Sequence, residues 1–261
     1  MKTILTLFAL GFALAPAPAI VASADTPSAQ DMVRAADAIR NPGQSFMLRN
    51  KLTEYVGGSA RGSYGIIVYA KTDPASGQYQ NIVRYVAPAR DQGKLLLLSG
   101  TTLWFYDSAS KSAVRIAPQQ RLIGQASNGD VLTANLSLDY KAQLKGPATV
   151  ASSDGKDIGA WELTLTRATK DAVYDRMTYW VEKGSYRPIK ANFYSASGRL
   201  LKIAFFGKYV QAQGAMRPSE TIIIDGVDPK LVTTINTSGI QEKSIPSYWF
   251  QRDYLARIPF N

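Results

Sequence analysis

The sequence predicts a mainly β fold of the α+β class, in which an antiparallel sheet of about eleven strands curls into a barrel or half-barrel. About eleven or twelve segments alternate apolar and polar residues, as strands with one buried face do. Turn-forming residues separate these segments, and helical spacing occurs only near the start, middle and end of the chain. Because strands twist, so large a sheet must curl, and the few helices can cover its open face.

Residues 1–24 have the features of a signal peptide for export. Lys2 supplies a positive charge, residues 4–15 are almost entirely apolar, and Ala22-Ser23-Ala24 fits the small-residue cleavage pattern. The apolar run is too short to span a bilayer. We therefore expect cleavage after Ala24, a single domain over residues 25–261, and a soluble protein of the bacterial periplasm.

The amino-acid composition removes several classes of site. The chain of 261 residues has no cysteine and no histidine, which excludes disulfides, cysteine nucleophiles, histidine-based triads and the commonest zinc sites. Its formal net charge of +10 suits anionic partners such as lipid headgroups, whereas an exported protein rarely meets nucleic acid. Solubility alone would also account for this charge.

The mature chain opens with a predicted helix. Ser28 and Asp31 form a capping-box pattern, and Asn41-Pro42-Gly43 ends the helix. Apolar residues recur along it at helical spacing: Met32, Ala35, Ala36 and Ile39. Since it has a single apolar stripe, this helix must pack on another element.

Six strands are predicted before the middle of the chain: residues 46–56, 64–70, 79–86, 94–99, 101–106 and 111–117. Residues 119–140 break the alternation, and we expect a loop there that leads into one or two short helices, with Asp130 as an N-cap. Six more strands follow: residues 161–166, 177–181, 189–193, 200–209, 216–225 and 230–238.

A final helix is expected from about Ser244 onwards, carrying Trp249, Phe250, Tyr254 and Ile258. It could be a movable lid or a packed plug. The predicted apolar face of the sheet would either line a cavity for acyl chains or fill the interior. Its bulky residues are Phe46, Leu48, Leu96, Leu98, Phe105, Trp161, Leu163, Met177, Tyr179, Phe193, Ile203 and Phe205.

No pattern in the sequence predicts catalysis. Paired aspartates at 154 and 157, 171 and 175, and 225 and 228 lie in turn-like segments, and nucleophile-elbow and phosphate-loop motifs are missing. We expect no enzyme activity, no cofactor and no metal site, with a serine or carboxylate hydrolase as the enzymatic alternative. An outer-membrane barrel is a further alternative, although the predicted helices at both ends argue against it.

Several motifs in order carry a resemblance to a known family. They are Asn-Ile-Val-Arg-Tyr-Val-Ala-Pro at 81–88, Gly-Lys-Leu-Leu-Leu-Leu at 93–98, Leu-Trp-Phe-Tyr at 103–106, Val-Arg-Ile at 114–116, Arg-Leu-Ile-Gly at 121–124 and Asn-Gly-Asp at 128–130. Together they resemble the outer-membrane lipoprotein-sorting, or LolA-like, family. Residues 124–130 depart from the Gly-Ser-Asp-Phe of many relatives, which leaves the cargo open.

The resemblance implies an incomplete antiparallel β-barrel of about eleven strands wrapped around a few helices, with a hydrophobic cavity between them. It also implies a carrier in the Gram-negative periplasm that moves a lipid or a lipoprotein acyl anchor toward the outer membrane. Its partners would be acyl chains, an inner-membrane transporter and an outer-membrane acceptor, with only transient membrane contact and no nucleic acid. The alternative is a non-enzymatic adaptor or structural subunit of an envelope transport complex, with a filled core.

Overall fold

The computed structural model describes residues 26–170 and 172–260, and the predicted signal peptide lies outside them. The strands are β1 (Phe46–Val56), β2 (Ser59–Thr72), β3 (Tyr79–Ala87), β4 (Leu95–Ser99), β5 (Thr102–Asp107), β6 (Ser112–Ile116), β7 (Arg121–Ile123), β8 (Ala126–Ser127), β9 (Tyr140–Ala151), β10 (Asp157–Arg167), β11 (Arg176–Glu182), β12 (Pro188–Tyr194), β13 (Leu200–Ala212), β14 (Ala215–Asp225) and β15 (Leu231–Glu242). Thirteen of them form one open antiparallel sheet, and β7 pairs with β8 separately.

The sheet consists of two meanders that meet at its centre. Its order is β6-β5-β4-β3-β2-β1-β15-β14-β13-β12-β11-β10-β9, so the first and last strands of the chain pair with each other. We call β1–β6 the first half of the sheet and β9–β15 the second half. Because the two edges, β6 and β9, are joined by residues 117–139, this crossing segment must pass over one face of the sheet, which we call the inner face.

The number of strands is larger than the sequence predicted. The expected count of about eleven missed β7 and β8, which lie in the stretch interpreted as a loop, and all of β9. β9 is an edge strand whose polar residues Lys141, Gln143 and Lys145 precede Pro147, and most of it is exposed. Charged residues and proline are common on edge strands because they discourage pairing with other chains. They also remove the alternation that identifies a strand.

Helix α1 (Ala29–Arg40) confirms the predicted opening helix. The Ser28 side chain caps it by accepting a hydrogen bond from the Asp31 amide at 3.1 Å. Met32, Val33 and Ala36 are fully buried against the second half of the sheet.

The crossing segment contains the β7–β8 hairpin, a 3-10 helix (Asn128–Val131) and the short helix α2 (Leu136–Asp139). Asp130 is not an N-cap, which corrects the expectation. Ser127 is the cap, and Asp130 accepts its backbone N–H and completes a capping box. Gly124 has a positive φ of 52° where the hairpin meets the sheet, and a Cβ there would overlap Thr233 Oγ1.

The C-terminal segment, residues 243–260, packs on the outer face of the first half. It forms two 3-10 helices (Ser247–Phe250 and Arg252–Arg257) and not one α-helix. Trp249, Phe250 and Leu255 are buried against outer side chains such as Tyr69 and Leu97. The segment is therefore packed, and it lies on the face opposite the crossing segment. No helix within the described residues is long and apolar enough to cross a membrane.

Candidate ligand-binding cavity

A cavity of about 200 Å³ lies between α1, the crossing segment and the inner face of the sheet. This volume is below the roughly 300–1,000 Å³ of common ligand pockets. A guest larger than this must therefore displace part of the wall. The wall combines apolar sheet residues with residues of α1 and the crossing segment, among them Met177, Phe193, Phe206, Ile223, Arg40, Val131, Leu132 and Leu136.

The structure divides the twelve residues predicted from the sequence into three groups. Four lie in the cavity wall: Leu48, Met177, Tyr179 and Phe193. Six more belong to inner clusters but lie outside this wall: Phe46, Leu96, Leu98, Phe105, Trp161 and Leu163. The remaining two are Ile203 and Phe205.

Ile203 and Phe205 lie on the outer face of β13, which corrects the predicted alternation. The inner positions of this strand are held by Lys202, Ala204 and Phe206, of which Ala204 and Phe206 line the cavity. The more hydrophobic of the two alternating sets contains Ile203 and Phe205, and the sequence analysis therefore placed that set inside. The set that is in fact inside includes Lys202, which is only 5% exposed.

Hydrogen bonds fix the crossing segment over the cavity. The fully buried Asn81 side chain accepts a hydrogen bond from the Thr133 amide at 2.8 Å and donates to the Thr133 carbonyl at 2.9 Å. Asp37 of α1 accepts the amides of Leu136 and Ser137 at 3.0 and 2.8 Å, which caps the start of α2. The part of the crossing segment that covers the cavity, its roof, is thus held by these polar contacts together with the apolar packing of Val131, Leu132 and Leu136.

A buried ion pair ties the crossing segment to the sheet. Lys202 of β13 contacts the carboxylate of Asp130, and both side chains are at most 10% exposed. The Tyr174 hydroxyl donates to Asp130 Oδ1 at 2.8 Å, and the Lys202 ammonium lies 4.7 Å from the Tyr174 ring centre. Burial raises the pKa of Tyr174 well above its usual value, which keeps this donor protonated. Such a network is strongly interdependent, because losing one partner leaves a buried charge unpaired.

Arg40 and Tyr179 bring polar groups to another part of the wall. The Arg40 side chain is 17% exposed, its Nη1 lies 3.8 Å from Asp37 Oδ1, and its Nη2 donates to the Ala134 carbonyl at 3.0 Å. The Tyr179 hydroxyl is buried, and its O–H has no acceptor within hydrogen-bond distance among the described residues. Burial raises the pKa of Tyr179, and the Arg40 guanidinium, through its charge and its interaction with the phenol oxygen, only partly opposes this. An unsatisfied buried hydroxyl costs about 1–3 kcal/mol.

The cavity is suited to binding an apolar chain beside a few hydrogen-bonding groups. The described residues contain no group of three or more acidic side chains that could hold a metal ion. The sequence interpretation missed Arg40 and Lys202 as wall or supporting residues. Lys202 carried a usable signal, since it is in phase with Ala204 and Phe206 within residues 200–206, which are otherwise apolar.

Comparisons with other proteins agree on the fold. A family model described as an uncharacterized protein family matches residues 77–257. A comparison with curated proteins finds no match. Among solved structures, a protein domain from Vibrio parahaemolyticus named for outer-membrane lipoprotein sorting matches with a TM-score of 0.73 at 17% identity, covering 88% of this chain and 98% of that one.

A LolA superfamily protein from Nitrosomonas europaea is more similar in sequence. Its structure matches with a TM-score of 0.78 at 30% identity, and the alignment covers 88% of this chain and all of that one. The half-barrel architecture, the crossing segment beneath which the cavity lies and this similarity agree with the motifs at residues 81–130. The chain therefore belongs to the LolA superfamily.

Proposed function

We propose that this protein is a non-enzymatic periplasmic carrier that binds the acyl chains of a lipid or a lipoprotein anchor and moves them toward the outer membrane. The observation that carries the proposal is the cavity between the inner face, α1 and the crossing segment. An exposed acyl chain in water is unfavourable by about 0.8 kcal/mol per methylene. A carrier must therefore enclose its cargo, and an apolar wall beneath a hydrogen-bonded roof is suited to this.

Other features support an envelope location. The signal peptide expected at residues 1–24 would direct export. The formal net charge of +10 would favour approach to anionic membrane surfaces, where the cargo is collected and delivered. An inner-membrane transporter as donor and an outer-membrane acceptor complete the proposal. Cell fractionation should find the mature chain in the periplasmic fraction, and retention in the cytoplasm would contradict this location.

Probe binding with a matched pair of variants tests the carrier proposal. Phe193 lines the cavity, whereas Phe205 is half-buried on the outer face of the same half of the sheet. Both Phe193→Ala and Phe205→Ala should lower stability, by up to about 3–5 kcal/mol for a phenylalanine. Only Phe193→Ala should weaken binding of a fluorescent acyl probe, by about tenfold for a loss of roughly 1.4 kcal/mol.

Native mass spectrometry of protein purified from the periplasm provides an independent readout, because a carrier should retain endogenous lipid. No co-purifying lipid together with no uptake of the acyl probe would contradict the proposal.

The second candidate is an adaptor or structural subunit of an envelope transport complex. It is favoured by the cavity volume of about 200 Å³, which is small for a ligand pocket. An adaptor should capture a protein partner in a pull-down and should not bind the acyl probe. The same probe titration therefore separates the two candidates.

A further inference from the structure

The cavity wall contains hydrogen-bond donors that the folded chain does not use. A guanidinium carries five N–H groups. Within the described residues Arg40 donates a hydrogen bond to the Ala134 carbonyl, has a longer contact with Asp37 and interacts with the phenol oxygen of Tyr179. The O–H of Tyr179, which lies in the same wall, has no acceptor there within hydrogen-bond distance. Buried polar groups are normally satisfied, so an unused donor beside a cavity indicates a missing acceptor.

The charges around these donors restrict which acceptor fits. The charge of Arg40 is already balanced by Asp37, whose side chain is only 4% exposed. A second carboxylate, that of Asp130 in the cavity wall, is paired with the buried Lys202. A carboxylate or phosphate would therefore lie close to the carboxylates of Asp37 and Asp130, while the two nearby cations, Arg40 and Lys202, are already paired with them. A neutral carbonyl oxygen accepts hydrogen bonds without that repulsion.

We infer that Arg40 and Tyr179 form a polar subsite that donates hydrogen bonds to the carbonyl oxygen of an ester or amide at the head of an acyl chain. This inference rests on the proposed carrier function and specifies its ligand class. The apolar wall formed by Phe193, Phe206 and Ile223 would hold the chain, while the subsite would fix the position of its head. Neutral acyl esters and amides should therefore be preferred over free fatty acids and plain hydrocarbons.

Tyr179→Phe is the sharpest variant for this test. It removes only the hydroxyl, and because among the described residues the O–H has no acceptor and the oxygen interacts only with Arg40, its loss should lower the thermal stability little. Tyr69→Phe is the matched control, since Tyr69 is also buried but packs on the outer face of the first half, away from the cavity. Arg40→Lys keeps the charge beside Asp37 and removes the planar fork of donors.

The experiment measures displacement of a fluorescent acyl probe from delipidated mature protein by three competitors of equal chain length: a fatty-acid methyl ester, the free acid and the hydrocarbon. Wild type and Tyr69→Phe should bind the ester roughly 2- to 10-fold more tightly than the hydrocarbon, as one net hydrogen bond allows. Tyr179→Phe should abolish most of this preference, and Arg40→Lys should reduce it. Hydrocarbon binding should be unchanged in Tyr179→Phe.

Three outcomes would overturn the subsite. They are equal affinities for ester and hydrocarbon in the wild type, an ester preference that survives Tyr179→Phe, or tighter binding of the free acid than of the ester. In each of these cases the wild type still binds acyl chains, so the carrier function stands. Failure of the wild type to bind the fluorescent probe at all would overturn the carrier function and the subsite together.

Discussion

The two halves of the sheet use their inner faces differently. In the first half, Val83, Leu96 and Leu103 are at most 1% exposed, and the β7–β8 hairpin packs directly on this core through Ile123 and Ala126. In the second half, α1 and the rest of the crossing segment leave a cavity. Similar one-sided alternation thus borders a packed core where Ile123 and Ala126 insert and a space beneath α1, depending on which segment covers the face.

The outer faces differ in the same sense, because the outer face of the first half is the more deeply covered one. The C-terminal segment buries Tyr69 and Leu97 of the first half. On the second half, Phe205 and Ile222 face each other across β13 and β14 and remain half-buried, and Lys190 lies 5.2 Å from the Phe205 ring centre. The first half therefore has segments of the chain packed on both of its faces.

The largest expected effect tests whether polar contacts hold the roof of the cavity. Asp130→Asn should destabilise the protein by about 3–5 kcal/mol, because it leaves the buried Lys202 ammonium without its counter-charge. Asp154→Asn is the control in the same half: it removes a pair with Lys156 in which the two side chains are 57% and 80% exposed, and it should leave the stability nearly unchanged. Urea unfolding measures both. Equal losses of stability in the two variants would mean that the buried ion pair contributes no more than an exposed one.

Adding volume should separate the solid core from the cavity. Ala126 is fully buried in the first-half core, whereas Ala204 lines the cavity. Ala126→Leu should therefore destabilise by about 1–3 kcal/mol through overpacking, whereas Ala204→Leu should cost less and block acyl-probe binding. Thermal unfolding and probe titration check this. A larger loss of stability in Ala204→Leu would contradict the presence of usable space.

The smallest effect concerns alkaline pH. Burial raises the pKa of Tyr140, Tyr174 and Tyr179 in the second half and of Tyr85 in the first. A tyrosine whose folded pKa exceeds its unfolded value of 10 stabilises the fold fully below pH 10, and this stability is lost as the pH rises further. Each tyrosine accounts for at most about 1.4 kcal/mol per pH unit.

Urea unfolding between neutral pH and pH values above 10 measures this loss. Tyr179→Phe should make the decline shallower than in the wild type, because one of the contributing phenols is gone. Tyr248, whose side chain is 46% exposed, provides the control variant Tyr248→Phe, which should leave the slope unchanged. Stability that does not depend on pH in this range would contradict the assigned burial of these phenols.

Much of the fold could be predicted from neighbouring residues. Helix α1 was located by Ser28, its capping partner Asp31 and the apolar stripe, all of which lie within one short segment. Twelve strands followed from alternation and turn residues, but β9 did not, because an edge strand has no need of an apolar face. The site was predicted less well: four of the twelve proposed residues line the cavity, and Arg40 was not recognised.

The sequence by itself determined the mainly β class, the positions of most strands, the opening helix and the family motifs, since each depends on residues close together in the chain. Only the tertiary structure decided which apolar residues line the cavity and which pack against other side chains. The pairing of Lys202 with Asp130 joins residues 72 positions apart. Alternation shows that a strand has two faces, but what covers each face is set by segments distant in sequence.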